Sequence, residues 1–294
     1  MPSSRREFLA LLASAGLCSC KTMRRAGEML HIPGLGDDKS DKAEKEPKPE
    51  TPQEPKNLKV SGKRFTFATI GDLHVLDARS TAIVSRAVRA INEDERIRFT
   101  AVLGDIATDA KFGELHMAKM TLDKLEKGYY AVPGNHDVDT KSLEPFASYE
   151  RLFGEPHWVF EDFGWVFMGI NSCEGAKSDV VIQPDEIEWL QKKLKRVSRR
   201  KPIALFAHHP FNPNTKAYRV GNADEVIGLF GAHHLKLIAA GHFHGNQVEE
   251  QNGILFTTTA CCSDTRGNHD GTEAKGYRLF HIEKDRIETE FVAV

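Results

Sequence analysis

The chain has 294 residues, with 40 basic and 42 acidic side chains and a net charge of −2, and no nucleic-acid-binding patch is evident in it. Hydrophobic residues make up 40% of the chain, enough for a core, so disorder throughout is excluded. Five cysteines form no dense disulfide framework, and no apolar run reaches the ~18 residues of a membrane span.

Residues 1–20 read as an export signal. Ser4-Arg5-Arg6-Glu7-Phe8-Leu9 precedes a short apolar stretch that ends in small residues. The arginine pair resembles a twin-arginine signal. Leu17-Cys18-Ser19-Cys20 resembles a lipobox, in which Cys20 would be acylated. The expectation is an exported protein of the periplasm or cell envelope, anchored to the membrane as a lipoprotein. Residues 21–60 are polar, and Pro47, Pro49, Pro52 and Pro55 break any helix, so this segment reads as a disordered linker.

From residue 61 to 294 the pattern is that of one folded domain. Apolar runs of strand length fall at 65–70, 100–103, 129–132, 165–170, 203–207 and 235–240. Helical periodicity falls at 80–92, 112–127, 185–197 and 224–230. This alternation predicts an α/β fold. Strands at 247–250, 254–260, 277–282 and 287–292 have no helices between them and are expected to pair antiparallel. The expected architecture is a mixed sheet or two stacked mixed sheets.

Five of the apolar runs end in chemistry. They lead into Gly71-Asp72-Leu73-His74, Gly104-Asp105, Gly134-Asn135-His136-Asp137, His208-His209-Pro210 and Gly241-His242-Phe243-His244. Sites in α/β folds form outside the carboxyl ends of strands, so these groups are expected to meet. Oxygen and imidazole donors without thiolate suit Mn, Fe, Zn or Co. Seven donors exceed one tetrahedral zinc site but are about right for two ions that share a carboxylate.

In this order the blocks resemble the calcineurin-like metallophosphoesterase family, over essentially all of the chain after the linker. The resemblance implies two stacked mixed β-sheets flanked by helices and a dinuclear centre. It implies that Asp72, His74 and His244 hold one divalent or trivalent transition-metal ion. Asn135, His208 and His242 would hold the other, and Asp105 would bridge them. His136 would stand outside the ligand set as an acid or charge stabiliser, with Asp137 orienting it. The implied reaction is hydrolysis of a phosphodiester or phosphomonoester, small or in the envelope, by a hydroxide shared between the metals. A catalytically silent, metal-stabilised binding or scaffold module of the same fold is the alternative. Purple acid phosphatases in the family carry a tyrosine where this chain has Thr108, so close kinship with them is not expected.

Gly267-Asn268-His269-Asp270 repeats the earlier motif outside the family's order, after a polar loop. It reads as a turn, with Arg266 and His269 as a possible substrate rim. Asp109 is expected to cap the helix at 112. His209 either supports the site or faces away from it. His31, His116, His157 and His281 belong to no constellation. Cys173, Cys261 and Cys262 read as buried free thiols, although export would permit a disulfide.

Overall fold

A computed structural model describes residues 64–215 and 218–294. Arg5, Arg6, Cys20 and the segments read as signal and linker lie outside them. Among the described residues, no helix is long and apolar enough to cross a membrane.

The chain forms two mixed β-sheets flanked by helices. The elements run β1 (Arg64–Ile70), α1 (Thr81–Glu93), β2 (Ile97–Leu103), α2 (Phe112–Leu122) and β3 (Tyr129–Val132). A short 3-10 turn (Asn135–Asp137), α3 (Ala147–Phe153), β4 (Trp158–Asp162), β5 (Trp165–Gly169) and α4 (Pro184–Leu194) follow. The chain ends with β6 (Pro202–Phe206), α5 (Ala223–Leu229), β7 (His234–Ala240), β8 (Gln247–Gln251), β9 (Ile254–Thr258), β10 (Gly276–Glu283) and β11 (Arg286–Ala293). One sheet has the order β11-β10-β1-β2-β3, the other β4-β5-β6-β7-β9-β8.

Strand alternation decides which side chain goes where. Phe65 and Phe67 of β1 point into the core between the sheets, with Phe99, Phe167, Phe206 and Phe280. Ala68 and Ile70 point outward, under the apolar stripe of α1 at Ile83, Val84, Ala87, Val88 and Ile91. The second sheet buries its outer face under α4 and α5, through Leu190, Leu194 and Val226.

β8 and β9 pair antiparallel, as do β10 and β11. β9, however, also lies parallel to β7, and β10 crosses to the first sheet beside β1. β4 has no counterpart among the expected strands. It is a half-buried edge strand, joined to β5 by a tight turn in which Phe163 and Gly164 have φ of 52° and 82°. Phe in place of Asn or Asp hides that hairpin from a sequence reader. α3 also went unexpected: seven residues give little periodicity, and Tyr149 and Phe153 bury it by tertiary packing. α2 stops at Leu122, short of the expected 127, because the chain turns there to insert Leu125 into the core.

Candidate metal centre

β1, β2 and β3 run parallel in one sheet, and β6 and β7 run parallel in the other. Their carboxyl ends face each other. Asp72, His74, Asp105, Asn135, His208, His242 and His244 all arrive there, and all are buried.

The approach is so close that the backbone must bend sharply. Asp72, His74, Asp105, His242 and His244 have φ of 53°, 44°, 49°, 62° and 47°, left-handed values that side chains other than glycine rarely adopt. Such outliers persist where the surroundings over-determine them, and they cluster at functional sites. Glycine is required beside them. A Cβ on Gly134 would lie 2.2 Å from both the backbone nitrogen and Oδ1 of Asp105.

Asp105 joins the two halves of the cluster. Its Oδ2 lies 3.4 Å from His74 Nε2, and its Oδ1 lies 3.3 Å from His208 Nε2. On the first side, His74 Nε2 and His244 Nε2 are 3.2 Å apart, and Asp72 Oδ1 lies 3.3 Å from His244 Nε2. On the second, His208 Nε2 is 3.0 Å from His242 Nδ1 and 3.2 Å from Asn135 Oδ1.

Backbone carbonyls fix three of the imidazoles. A carbonyl can only accept, so the ring nitrogen facing it carries the proton. Leu103 accepts from His208 Nδ1 at 2.8 Å, Ser178 from His242 Nε2 at 3.0 Å, and Gly267 from His244 Nδ1 at 3.0 Å. In each ring the other nitrogen points at the cluster. Two lone pairs, on His208 Nε2 and His242 Nδ1, therefore face each other at 3.0 Å. Two acceptors at that distance repel unless a cation stands between them. The donor set fits transition-metal ions, and holding the far ring nitrogen is how proteins orient metal-binding histidines.

The electrostatics agree. Burial lowers His74 to about 2 and His208 and His242 to about 4, which keeps their rings neutral and able to bind a cation. Burial raises Asp72, but His244, His208 and His74 outweigh it and hold the carboxyl below its ordinary range. Burial and then Asp72 push Asp105 up to about 6. Burial lowers His244, yet Asp72 beside it raises the ring to about 11. Two carboxylates in a dry pocket thus draw positive charge toward the cluster.

His136 is half-buried at the edge of the cluster, its ring edge-on to His74 with centroids 4.9 Å apart. Its backbone N–H donates to Asp105 Oδ1 at 2.9 Å, and its Nδ1 donates to the Thr108 carbonyl at 2.7 Å. The expected orienting role of Asp137 is therefore corrected. The Asp137 carboxylate accepts from the backbone N–H groups of Ile106, Ala107 and Gly134, at 3.1, 2.8 and 2.8 Å. It ties the β2 and β3 loops together and leaves the His136 ring to Thr108. Burial and then Asp105 push Asp137 up to about 7.

His209 supports the site. Fully buried, its ring lies 4.4 Å from that of His242, and its nitrogens face Ser172 Oγ at 2.9 Å and the Lys177 carbonyl at 3.3 Å. It thus fastens the loop whose Ser178 carbonyl orients His242. The second Gly-Asn-His-Asp stretch is also more than a turn, since Gly267 orients His244. Arg266 is half-buried and His269 exposed, with the His269 ring edge-on to His244 at 5.2 Å. The carbonyls of Leu103, Thr108, Ser178 and Gly267 escaped the sequence reading, because every residue type carries a carbonyl.

Asp109 does not cap α2. It pairs with Lys111, while the Glu114 carboxylate accepts the Asp109 N–H at 2.8 Å. Cys173, Cys261 and Cys262 are free and buried, as expected. His116 is exposed on α2, and His157 and His281 bond to Glu186 and Glu290, away from the cluster.

A family model described as Calcineurin-like phosphoesterase matches residues 65–246, more than half of the chain. A probable glycerophosphodiester phosphodiesterase GpdQ of Arcobacter nitrofigilis is 28% identical over 166 residues, 53% of this chain and 60% of that protein. A probable cyclic nucleotide phosphodiesterase of Synechococcus is 27% identical over 237 residues, 75% of this chain and 88% of that protein. The 3',5'-cyclic adenosine monophosphate phosphodiesterase CpdA of Escherichia coli K12 is 24% identical, over 52% of this chain and 58% of that protein. The alignments thus span less than two thirds of the Arcobacter and E. coli relatives. The fold is similar to that of GAP50, the anchor in the inner membrane complex of Plasmodium, with a TM-score of 0.56 and 16% identity over 78% of this chain and 84% of that one. It is also similar to TT1561 of Thermus thermophilus, with a TM-score of 0.50 and 13% identity over 77% and 98%.

Proposed function

The chain belongs to the calcineurin-like phosphoesterase family, and from that premise we propose that it hydrolyses a small phosphodiester at a dinuclear metal centre. The observation that carries this reading is the convergence of seven buried donors, with one oxygen of Asp105 turned toward each half. Asp72, His74 and His244 would hold one ion, Asn135, His208 and His242 the other, and Asp105 both. Mn, Fe, Zn or Co bound there would supply positive charge to the phosphoryl oxygens and acidify the attacking water. The protein's part is geometry: carbonyls orient the His208, His242 and His244 rings, and burial keeps those of His74, His208 and His242 neutral. His136 has Nδ1 committed to Thr108, so proton exchange with the leaving oxygen runs through Nε2. The names of the Arcobacter, Synechococcus and E. coli relatives support a diester over a monoester.

The test is a panel of mono-, di- and cyclic phosphate esters assayed with each of the four metals. Turnover fastest on a diester is expected. No turnover by metal-loaded protein would favour a silent scaffold of the same fold.

We also propose export through the 1–20 signal, lipidation at Cys20, and a linker to about residue 60 that tethers the enzyme to the envelope. Lysine at both Arg5 and Arg6 is expected to abolish export, and Cys20→Ser to release the protein from the membrane fraction. Unchanged fractionation in either variant would remove the corresponding proposal.

A further inference from the structure

The loop carrying the second Gly-Asn-His-Asp stretch grips both ligand histidines of the first side. Thr265 Oγ1 donates to the His74 carbonyl at 3.2 Å. The Gly267 carbonyl accepts from His244 Nδ1 at 3.0 Å, and the His269 N–H donates to the His244 carbonyl at 3.0 Å. Arg266 stands between two of these gripping residues, so its backbone is pinned beside His74 and His244. Lys275 Nζ donates to the Arg266 carbonyl at 2.7 Å and closes the loop from behind.

The side chain so placed is unspent. Its Nε is buried with no hydrogen-bond partner, and among the described residues no carboxylate pairs with its guanidinium. Its charge is felt at both His74 and Asp109, on the His136 side of the cluster. A partly dehydrated guanidinium without an acceptor is costly to keep, and an unsatisfied buried group in a folded protein calls for an explanation. The planar fork of arginine matches phosphate oxygens better than any other side chain.

We propose that Arg266 binds the phosphoryl group of the substrate at the mouth of the metal centre, as a substrate-binding residue that the family motifs do not include. This rests on the phosphoesterase reading above. His269 and Tyr218, edge-on to each other with ring centroids 5.5 Å apart, stand over the site against His244 and His242, at 5.2 and 5.7 Å.

The probe is inorganic phosphate, with binding to the metal-loaded protein measured by calorimetry alongside ester kinetics and elemental analysis. Arg266→Gln is expected to weaken phosphate binding about tenfold or more and to raise KM by a similar factor, because a hydrogen bond to a charged group is lost. Metal content should stay at the wild-type level and kcat should change less than about threefold. Arg266→Lys is expected to recover part of the affinity. Unchanged phosphate affinity and KM in Arg266→Gln would overturn the inference while leaving the phosphoesterase reading intact. A drop in metal content would overturn it too, since Arg266 would then serve only the loop. Wild-type protein that neither binds phosphate nor turns over any ester would instead remove the phosphoesterase reading itself.

Discussion

His136 has its position set twice, by its own N–H on Asp105 and by its ring on Thr108. Neither bond uses Nε2. A positioned acid contributes about 10²–10⁴-fold, most where the leaving group needs a proton. Nitrophenolate leaves readily without one; an alkoxide does not. His136→Ala is expected to retain both metals and to lose more rate on alkyl than on nitrophenyl esters. Equal losses would mean that the ring stabilises charge instead. Asp105→Asn keeps the shape and removes the charge shared by both halves, so metal content should fall to one ion or none and turnover should vanish. Normal occupancy and rate would refute the bridge, while exposed His116→Ala should change neither quantity. The seven donors were legible because Asp, Asn and His after glycine at strand ends are a pattern of residue types. The role of Asp137 was misread: its identity suggested a partner for the adjacent ring, whereas three nearby backbone N–H groups had the prior claim.

Strand ends must nearly touch for these donors to meet, and the loops that join them decide how closely they do. Gly134 is the tightest point, because any Cβ there would overlap Asp105 backbone and carboxylate together. Backbone cannot move aside as a flexible side chain can. Gly134→Ala is expected to lower stability by about 1–3 kcal/mol through overpacking and to displace Asp105. Urea unfolding and metal analysis should show both losses; a normal midpoint with full occupancy would contradict the steric account. In the alternating part of the chain, six strands and four helices could be placed from periodicity because each is buried on a defined face. β4 and α3 could not, being short, half-buried or held by distant contacts. The crossing of β9 and β10 was equally hidden, since local alternation marks a strand but names no partner.

Both sheets contribute to each proposed ion. Asp72 and His74 come from the first sheet and His244 from the second; Asn135 comes from the first, His208 and His242 from the second. Beneath them the sheets pack through apolar side chains around Phe67, Phe99, Phe167, Phe206 and Phe280, with a few hydrogen bonds between layers, such as Trp158 Nε1 to the Ala131 carbonyl and Trp165 Nε1 to the Lys284 carbonyl. Metal bound at this edge therefore cross-links two layers that unfolding would separate, and the unfolded chain offers no preformed site. A ligand that binds only the folded state at 100 times its dissociation constant stabilises by about 2.7 kcal/mol. For a domain of this size each kcal/mol moves Tm by roughly 2–4 °C. Chelation, with depletion verified by elemental analysis, is expected to lower Tm by about 5–10 °C, and added Mn or Zn should restore it. Asp105→Asn should show little of this shift, because its site is already impaired. A wild-type Tm indifferent to complete metal removal would mean that the converging donors do not bind ions tightly enough to tie the sheets together.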